Sequence, residues 1–242
     1  MVTLDPQKPV ALFDVDGVLV KPYVLAHFAR YLAQRDMLDA RQLQVLATET
    51  AHNTLSYEAY SQLGARLYAR GLAGRSAVAT AEQAVTFWQT HTHLILPYAR
   101  QLTSTLRPYC TLIMISGASR ESLIPLAEML GISHIFATEL TAQDGVFTGE
   151  EPVSGALQHA KQAAVDRIPL TAHTRRASFA FADHPYHDRP LLEAVGNPYL
   201  LTDEIAKCAD NTRWHCYPQP VNAEKLLAHV KQHLPTSARK TD

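Results

Sequence analysis

The hydrophobic positions of the chain fall into two rhythms. Three short runs are almost wholly apolar and each stops at a polar residue. Val10-Ala11-Leu12-Phe13 precedes Asp14, Cys110-Thr111-Leu112-Ile113-Met114-Ile115 precedes Ser116, and Ala177-Ser178-Phe179-Ala180-Phe181-Ala182 precedes Asp183. Runs that lack a polar alternate face predict parallel strands covered by helices on both sides. The second rhythm is helical. Leu123, Ile124, Leu126, Ala127 and Leu130 form one stripe between Ser119, a capping residue, and Gly131, a stop. Leu157, Ala160, Ala164 and Val165 mark a helix within residues 154–167, and Asp188 is predicted to cap another, with Pro190 in its first turn and Gly196 past its end. Residues 139–149, centred on Asp144-Gly145, read as a hairpin.

Between Pro22 and Pro97 the strand rhythm disappears. The stripes there are helical: Val24, Leu25, Phe28 and Leu32, then Tyr57, Tyr60, Leu63 and Leu67, then Val85 and Trp88. This predicts a helical insertion after the first strand, entered and left through a two-stranded neck. Residues 1–21 and 98–242 then form an α/β core with a mostly parallel sheet flanked by helices, and residues 22–97 an all-helical unit.

Composition narrows the classes without choosing among them. A chain of 242 residues with 47% hydrophobic and 19% charged positions is sized for a full globular core. Twenty-two basic against 23 acidic residues leave a net charge of −1, so no basic field recruits nucleic acid or acidic lipid. No apolar run is long enough to span a bilayer. Cys110, Cys208 and Cys216 form no CxxC and suit a reducing compartment, and the first residues lack a basic segment leading into an apolar one. The expected location is cytoplasmic, and the carboxyl end from Pro235 reads as a frayed tail. Neither His91-Thr92-His93 nor Cys208 with His215-Cys216 shows a four-ligand zinc spacing.

Chemistry is expected at the carboxyl ends of the strands, where open parallel sheets bind ligands. Asp14, Ser116 and Asp183 stand there, with Asp16 and Gly17 in the loop after the first strand. Two carboxylates two residues apart on an extended chain sit roughly 6.6 Å from each other. At an effective dielectric of about 20 they repel by roughly 2.5 kcal/mol. Asp183 adds to that repulsion, so either a divalent cation neutralises the group or one carboxyl keeps its proton. Hard oxygen ligands select Mg²⁺, and a retained proton makes a general acid.

Phe13-Asp14-Val15-Asp16-Gly17-Val18-Leu19, followed in order by Ser116, Lys161 and Asp183 with Asp188, resembles the four motifs of the haloacid-dehalogenase-like phosphatases. The likeness is nearest to the branch that carries a helical cap after the first strand and includes the phosphoserine-phosphatase-like enzymes. Met114 to Ser119, the 138–149 hairpin and Asp188 to Gly196 are similar to that branch as well. The resemblance implies a Rossmann-like core and a mobile helical cap. It also implies a Mg²⁺-dependent phosphatase acting on a small phosphorylated metabolite. Asp14 would be the nucleophile and Asp16 the acid and base. Ser116, Gly117 and Lys161 would hold the phosphate. Asp14, Asp16 through its main-chain carbonyl, and Asp183 would hold Mg²⁺, with Asp188 orienting water or Lys161 behind them. A phosphotransferase sharing the covalent step is the alternative, as is a non-catalytic phosphate-sensing module, although a sensor needs no leaving-group acid such as Asp16. The oligomeric state stays open.

Several residues depart from the pattern or carry a plainer expectation. Val18 replaces a common Thr, and Ala182 a common Gly or Ser. Tyr23 stands where phosphoserine-specific members carry a Glu for the substrate ammonium, which disfavours phosphoserine. A lysine on a helix is ordinarily solvated, and Asp188 has the rival task of helix capping. His184 and His187 read as exposed loop histidines. Tyr57, Tyr60, Arg66, Tyr68, Arg70 and Trp88 are candidates for specificity, most of the aromatics being expected in inter-helix core.

Overall fold

The computed structural model describes residues 4–21, 23–51, 55–203 and 213–235. Pro22, Cys208, the first three residues and the tail beyond Pro235 lie outside the described residues. In chain order the strands are β1 (Val10–Phe13), β2 (Thr111–Ser119), β3 (His134–Thr138), β4 (Ala142–Gln143), β5 (Val146–Phe147), β6 (Phe179–Ala182), β7 (Asn197–Leu201) and β8 (His215–Tyr217). Among the described residues, six of them pair in parallel in the order β3-β2-β1-β6-β7-β8. Strand order reverses at β1, so the crevice between β1 and β6 opens at their carboxyl ends.

Both faces of this sheet are covered, which is why its strands read as continuous apolar runs. Ala11, Phe13, Leu112, Met114, Phe179, Phe181, Tyr199 and Leu201 face one layer, while Val10, Leu12, Ile113, Ile115 and Ala180 face the other. Phe13, Phe181 and Tyr199 stack side by side across three strands, with ring centroids 5.1 and 4.9 Å apart.

The insertion consists of α1 (Val24–Ala33), α2 (Arg41–Thr50), α3 (Tyr57–Leu72) and α4 (Ala77–Thr90). Its neck is formed by Lys21 N–H donating to the Leu94 carbonyl at 2.8 Å and Leu96 N–H donating to that of Leu19 at 2.9 Å. Beyond it come α5 (Ala99–Leu106), α6 (Arg120–Leu130), α7 (Gln158–Asp166), α8 (Ala172–Ala177), α9 (Arg189–Glu193) and α10 (Ala223–Gln232). The hairpin β4–β5 turns at Asp144 and Gly145, both at positive φ as a two-residue turn requires. It then docks on the α3–α4 connection, Gly74 N–H donating to the Phe147 carbonyl and Ala77 N–H to that of Gly145. The insertion is therefore tied to the core beyond its neck. Its α4 packs on α6, where the fully buried Trp88 donates its indole N–H to the Ser122 carbonyl at 2.6 Å.

Three elements differ from the sequence pattern. The second strand does not stop at Ser116: β2 runs on to Ser119, because its register on β3 slips after Ile115 and the chain re-pairs at Ser119. The third strand starts only at Phe179, because Thr171 and Thr174 exchange capping hydrogen bonds that commit Ala172–Ala177 to α8. Trp88 is buried as its stripe predicts but Val85 is exposed, and α4 buries Thr80, Ala84 and Phe87 beside Trp88. Replacing the buried indole, Trp88→Ala, is expected to lower the free energy of unfolding by about 3–5 kcal/mol, measured by urea titration; a loss below about 1 kcal/mol would show that α4 does not depend on this contact.

Candidate active site

The loop after β1 folds back on itself. Leu19 and Val20 N–H groups both donate to the Val15 carbonyl, and Gly17 N–H donates to that of Val20. Gly17 is at φ +72°, and a Cβ there would collide with Asp183 Oδ2. The glycine thus serves both the left-handed turn and the close approach of the β6 carboxylate. Asp14 extends β1 by one rung, its N–H donating to the Phe181 carbonyl at 2.9 Å, which aims its side chain over the crevice.

Lys161, on α7, is only 2% exposed, so the solvated helix face expected of a lysine is not what this residue occupies. Its ammonium donates to Asp14 Oδ1 at 3.0 Å and to Asp188 Oδ1. Asp188 is the residue before α9, yet its carboxylate makes no capping bond to that helix. Lys161 takes Oδ1 and the His184 N–H takes Oδ2 at 3.1 Å. The stronger charge partner draws the side chain away from the cap. Carboxylate oxygens of Asp14, Asp183 and Asp188 lie within 4.8 Å of one another. Asp16 turns elsewhere, accepting from the Val24 N–H at the start of α1 at 2.8 Å.

Electrostatics follow from burial. Asp14 is pushed up to about 7, chiefly by burial, which Lys161 opposes and Asp188 and Asp16 reinforce. Burial raises Asp16 to about 6, against the pull of the Val24 N–H and Lys161. Asp183 is raised well above its ordinary value by burial, then by Asp14 and Asp188. Burial works against the Lys161 charge, but Asp14 and Asp188 outweigh it and hold the ammonium well above its usual range. Crowded carboxyls with a single buried ammonium among them form a donor set of hard oxygens, and the space kept clear at Gly17 brings Asp183 into it. These residues fit Mg²⁺.

Ser116 and Gly117 lie on the irregular part of β2. Ser116 Oγ is buried and accepts from the Ala118 N–H at 3.1 Å. The Thr138 hydroxyl bridges this turn to the next loop, donating to the Gly117 carbonyl at 2.7 Å and accepting from Gly155 N–H at 2.9 Å. Thr138 was legible only as the first residue of the 138–149 stretch, with no role of its own.

A cavity of about 310 Å³ opens from Asp16, Gly117 and Ser154 between α1, α2 and α3. Tyr23, Tyr57, Tyr60, Tyr68, Leu43 and Leu46 line it, with Arg30 among the lining residues. Of the candidates for specificity, the three tyrosines reach it, Trp88 is core, and Arg66 and Arg70 are not among its lining residues. His187 is buried rather than an exposed loop residue. The Tyr57 ring stacks on it with centroids 3.9 Å apart, and Glu58 Oε1 lies 3.4 Å from its Nδ1. Burial, then the neighbouring His184, push its imidazole down. Gln62 adds a second tie, donating to the Pro152 carbonyl at 2.8 Å and accepting from the Ser154 N–H at 3.1 Å. Helix α3 thus leans on the core loops beside Lys161 and Asp188.

A six-stranded parallel sheet that gathers carboxylates at its reversal point is the arrangement of an α/β enzyme that works on a polar ligand. The sequence matches the haloacid dehalogenase-like hydrolase family over residues 11–193, and the chain belongs to that family. A Mycobacterium leprae protein named "Putative hydrolase" is 28% identical over 219 residues, covering 82% of this chain and 70% of that one. Among solved structures, a Bordetella pertussis protein of unknown function superimposes with a TM-score of 0.69 at 21% identity, covering 86% of this chain and 97% of that one. An intermediate analogue of a phosphoserine phosphatase superimposes with a TM-score of 0.60 at 18% identity, covering 92% and 99%. These two structures share the fold.

The raised carboxyls set a pH dependence. Between about 4 and about 7 the folded metal-free chain holds protons on Asp14 and Asp16 that the unfolded chain releases, so their contribution to stability is lost as pH rises through that window. In chelator, Asp14→Asn is expected to gain stability over the parent as pH rises from 4 to 8, by a few kcal/mol in all. Added Mg²⁺ is expected to stabilise the parent more at pH 8 than at pH 5. Urea unfolding across pH measures both, and a difference that does not change with pH would contradict the assignment.

Proposed function

We propose that this hydrolase is a Mg²⁺-dependent phosphatase that cleaves a small phosphomonoester through an aspartyl-phosphate on Asp14. One observation carries the reading: the Asp14 carboxylate is buried at the end of β1, 3.0 Å from the Lys161 ammonium, with Asp183 and Asp188 oxygens within 4.8 Å. Nucleophile, cation and hard-oxygen donors meet in one place.

An Asp14 oxygen attacks phosphorus, and the bond from phosphorus to the substrate oxygen breaks. The departing oxygen takes the proton held by Asp16, whose value near 6 suits an acid that must also act as a base. Asp16 then accepts a proton from water as the water oxygen attacks phosphorus, releasing phosphate and restoring Asp14. The Ser116 hydroxyl, the Gly117 N–H and Lys161 hold the phosphate oxygens, and Asp188 keeps Lys161 in position. Asp14, Asp183 and the main-chain carbonyl of Asp16 would hold Mg²⁺, which when bound supplies positive charge against the carboxylates and the phosphate. Residues 22–97 serve as the cap over this site, with the core in residues 1–21 and 98–242.

The cavity supports a substrate class. Tyrosine and leucine side chains dominate its wall, and Asp16 is the carboxylate that lines it. Among the described residues an ammonium such as that of phosphoserine finds no further acidic partner there, whereas an apolar or aromatic alcohol finds matching surface. The expected order is a kcat/KM for an aryl or alkyl phosphate at least about tenfold above that for phosphoserine; the reverse order would sink this assignment. Asp14→Asn is expected to lose about 10³-fold or more in kcat. Asp16→Asn is expected to release one equivalent of alcohol from an aryl phosphate rapidly and then stall. Rapid-quench kinetics with folded variants reads both, and steady hydrolysis by Asp14→Asn would refute the covalent route.

A further inference from the structure

Outside the carboxylate cluster, the described residues contain another group of potential metal ligands: His215, His229 and His233. Local spacing gives no sign of it in full, since the sequence pairs His215 only with its neighbour Cys216. The fold assembles it. His229 on α10 and His233 at its carboxyl end are four residues apart and so share a helix face. His215 on β8 pairs in register with Tyr199 of β7 and meets both rings. Its centroid is 4.5 Å from that of His229 and 5.1 Å from that of His233, and the two helix rings are 4.7 Å apart. One ring nitrogen from each histidine lies within 4.8 Å of the other two.

We propose that these three histidines form a second metal site, for a borderline transition ion of the Zn²⁺ class, that pins α10 to β8 at the edge of the sheet.

Hydrogen bonds engage Nδ1 of two of the three rings. His233 Nδ1 lies 3.0 Å from the His229 carbonyl, an acceptor, so Nδ1 donates there and Nε2 is the nitrogen that could ligate an ion. His229 Nδ1 is 2.8 Å from the Tyr217 hydroxyl, and when Nδ1–H donates to that oxygen Nε2 is left for an ion. Metal-bound histidines ordinarily engage their other nitrogen in this manner. Three imidazoles offer no hard anionic oxygen, so the site discriminates against Mg²⁺ and in favour of Zn²⁺ or its neighbours. Zn–N bonds of about 2.0–2.1 Å place tetrahedral ligand nitrogens roughly 3.3 Å apart. The present spacing, within 4.8 Å, would have to tighten on binding. All three residues are half-buried.

Calorimetric titration of the chelator-stripped chain with Zn²⁺, in excess Mg²⁺ to occupy the carboxylates, tests the proposal. One equivalent is expected to bind, and the double variant His229→Gln with His233→Gln is expected to bind at least about a hundredfold more weakly. Mg²⁺-dependent hydrolysis, which these residues do not serve, should be unchanged and reports that the variant is folded. X-ray absorption at the zinc edge of the unaltered protein decides the matter even if the variant does not fold. Imidazole nitrogens at about 2.0–2.1 Å support the site. No uptake, equal uptake by the folded variant, or a shell without imidazole scattering would overturn it and leave the cluster as aromatic packing.

Discussion

The structure turns on a crowding of like charge. Asp14, Asp183 and Asp188 converge at the carboxyl ends of β1 and β6, with Asp16 in the loop beside them, and Lys161 is the ammonium buried in the cluster. Burial raises three of the carboxyls and works against the charge of the lysine, which Asp14 and Asp188 beside it hold. Such a cluster costs stability in an empty protein and is relieved by a cation and a bound anion together. The arrangement that burdens the fold is the one suited to phosphoryl transfer, where charge spreads over phosphate oxygens as bonds exchange.

The rest of the architecture holds that crowding in place. Parallel pairing fixes β1 beside β6, Gly17 admits Asp183 where any side chain would exclude it, and α7 delivers Lys161 from the opposite layer. The helical insertion is anchored by its neck, by Trp88 on α6 and by the β4–β5 hairpin. What it brings to the site is the amino end of α3, where Tyr57 lies on His187, and a wall of tyrosines and leucines above Asp16. A shared hydrophobic cluster runs from Phe13 in the sheet through Phe28 and Leu72 to Trp88, so insertion and core are packed as one body along that side.

Much of this was legible in the chain because it depends on local pattern. The limits of β1, the Asp144-Gly145 turn and the Gly131 stop are read from hydrophobic runs and turn chemistry within a few residues. Asp14, Asp16, Ser116, Lys161, Asp183 and Asp188 were legible as strand-end and motif residues, and the fold gathers Asp14, Lys161, Asp183 and Asp188 within contact range. What escaped is set by long-range geometry. A capping box claimed Ala177 for a helix, a register slip carried β2 past Ser116, and a distant ammonium drew the Asp188 carboxylate off its helix end. His187 was hidden by Tyr57, more than a hundred residues away, and the three-histidine cluster joins a strand to a helix by packing alone.

The central claim is that phosphorus becomes bonded to Asp14 during turnover. Borohydride reduces an acyl phosphate to an alcohol, so quenching the working enzyme with it and mapping the peptides by mass spectrometry reads the bond directly. The account predicts homoserine at position 14 when substrate and Mg²⁺ are both present and unmodified aspartate when either is omitted. Turnover with position 14 unaltered, or with the label on another residue, would contradict it.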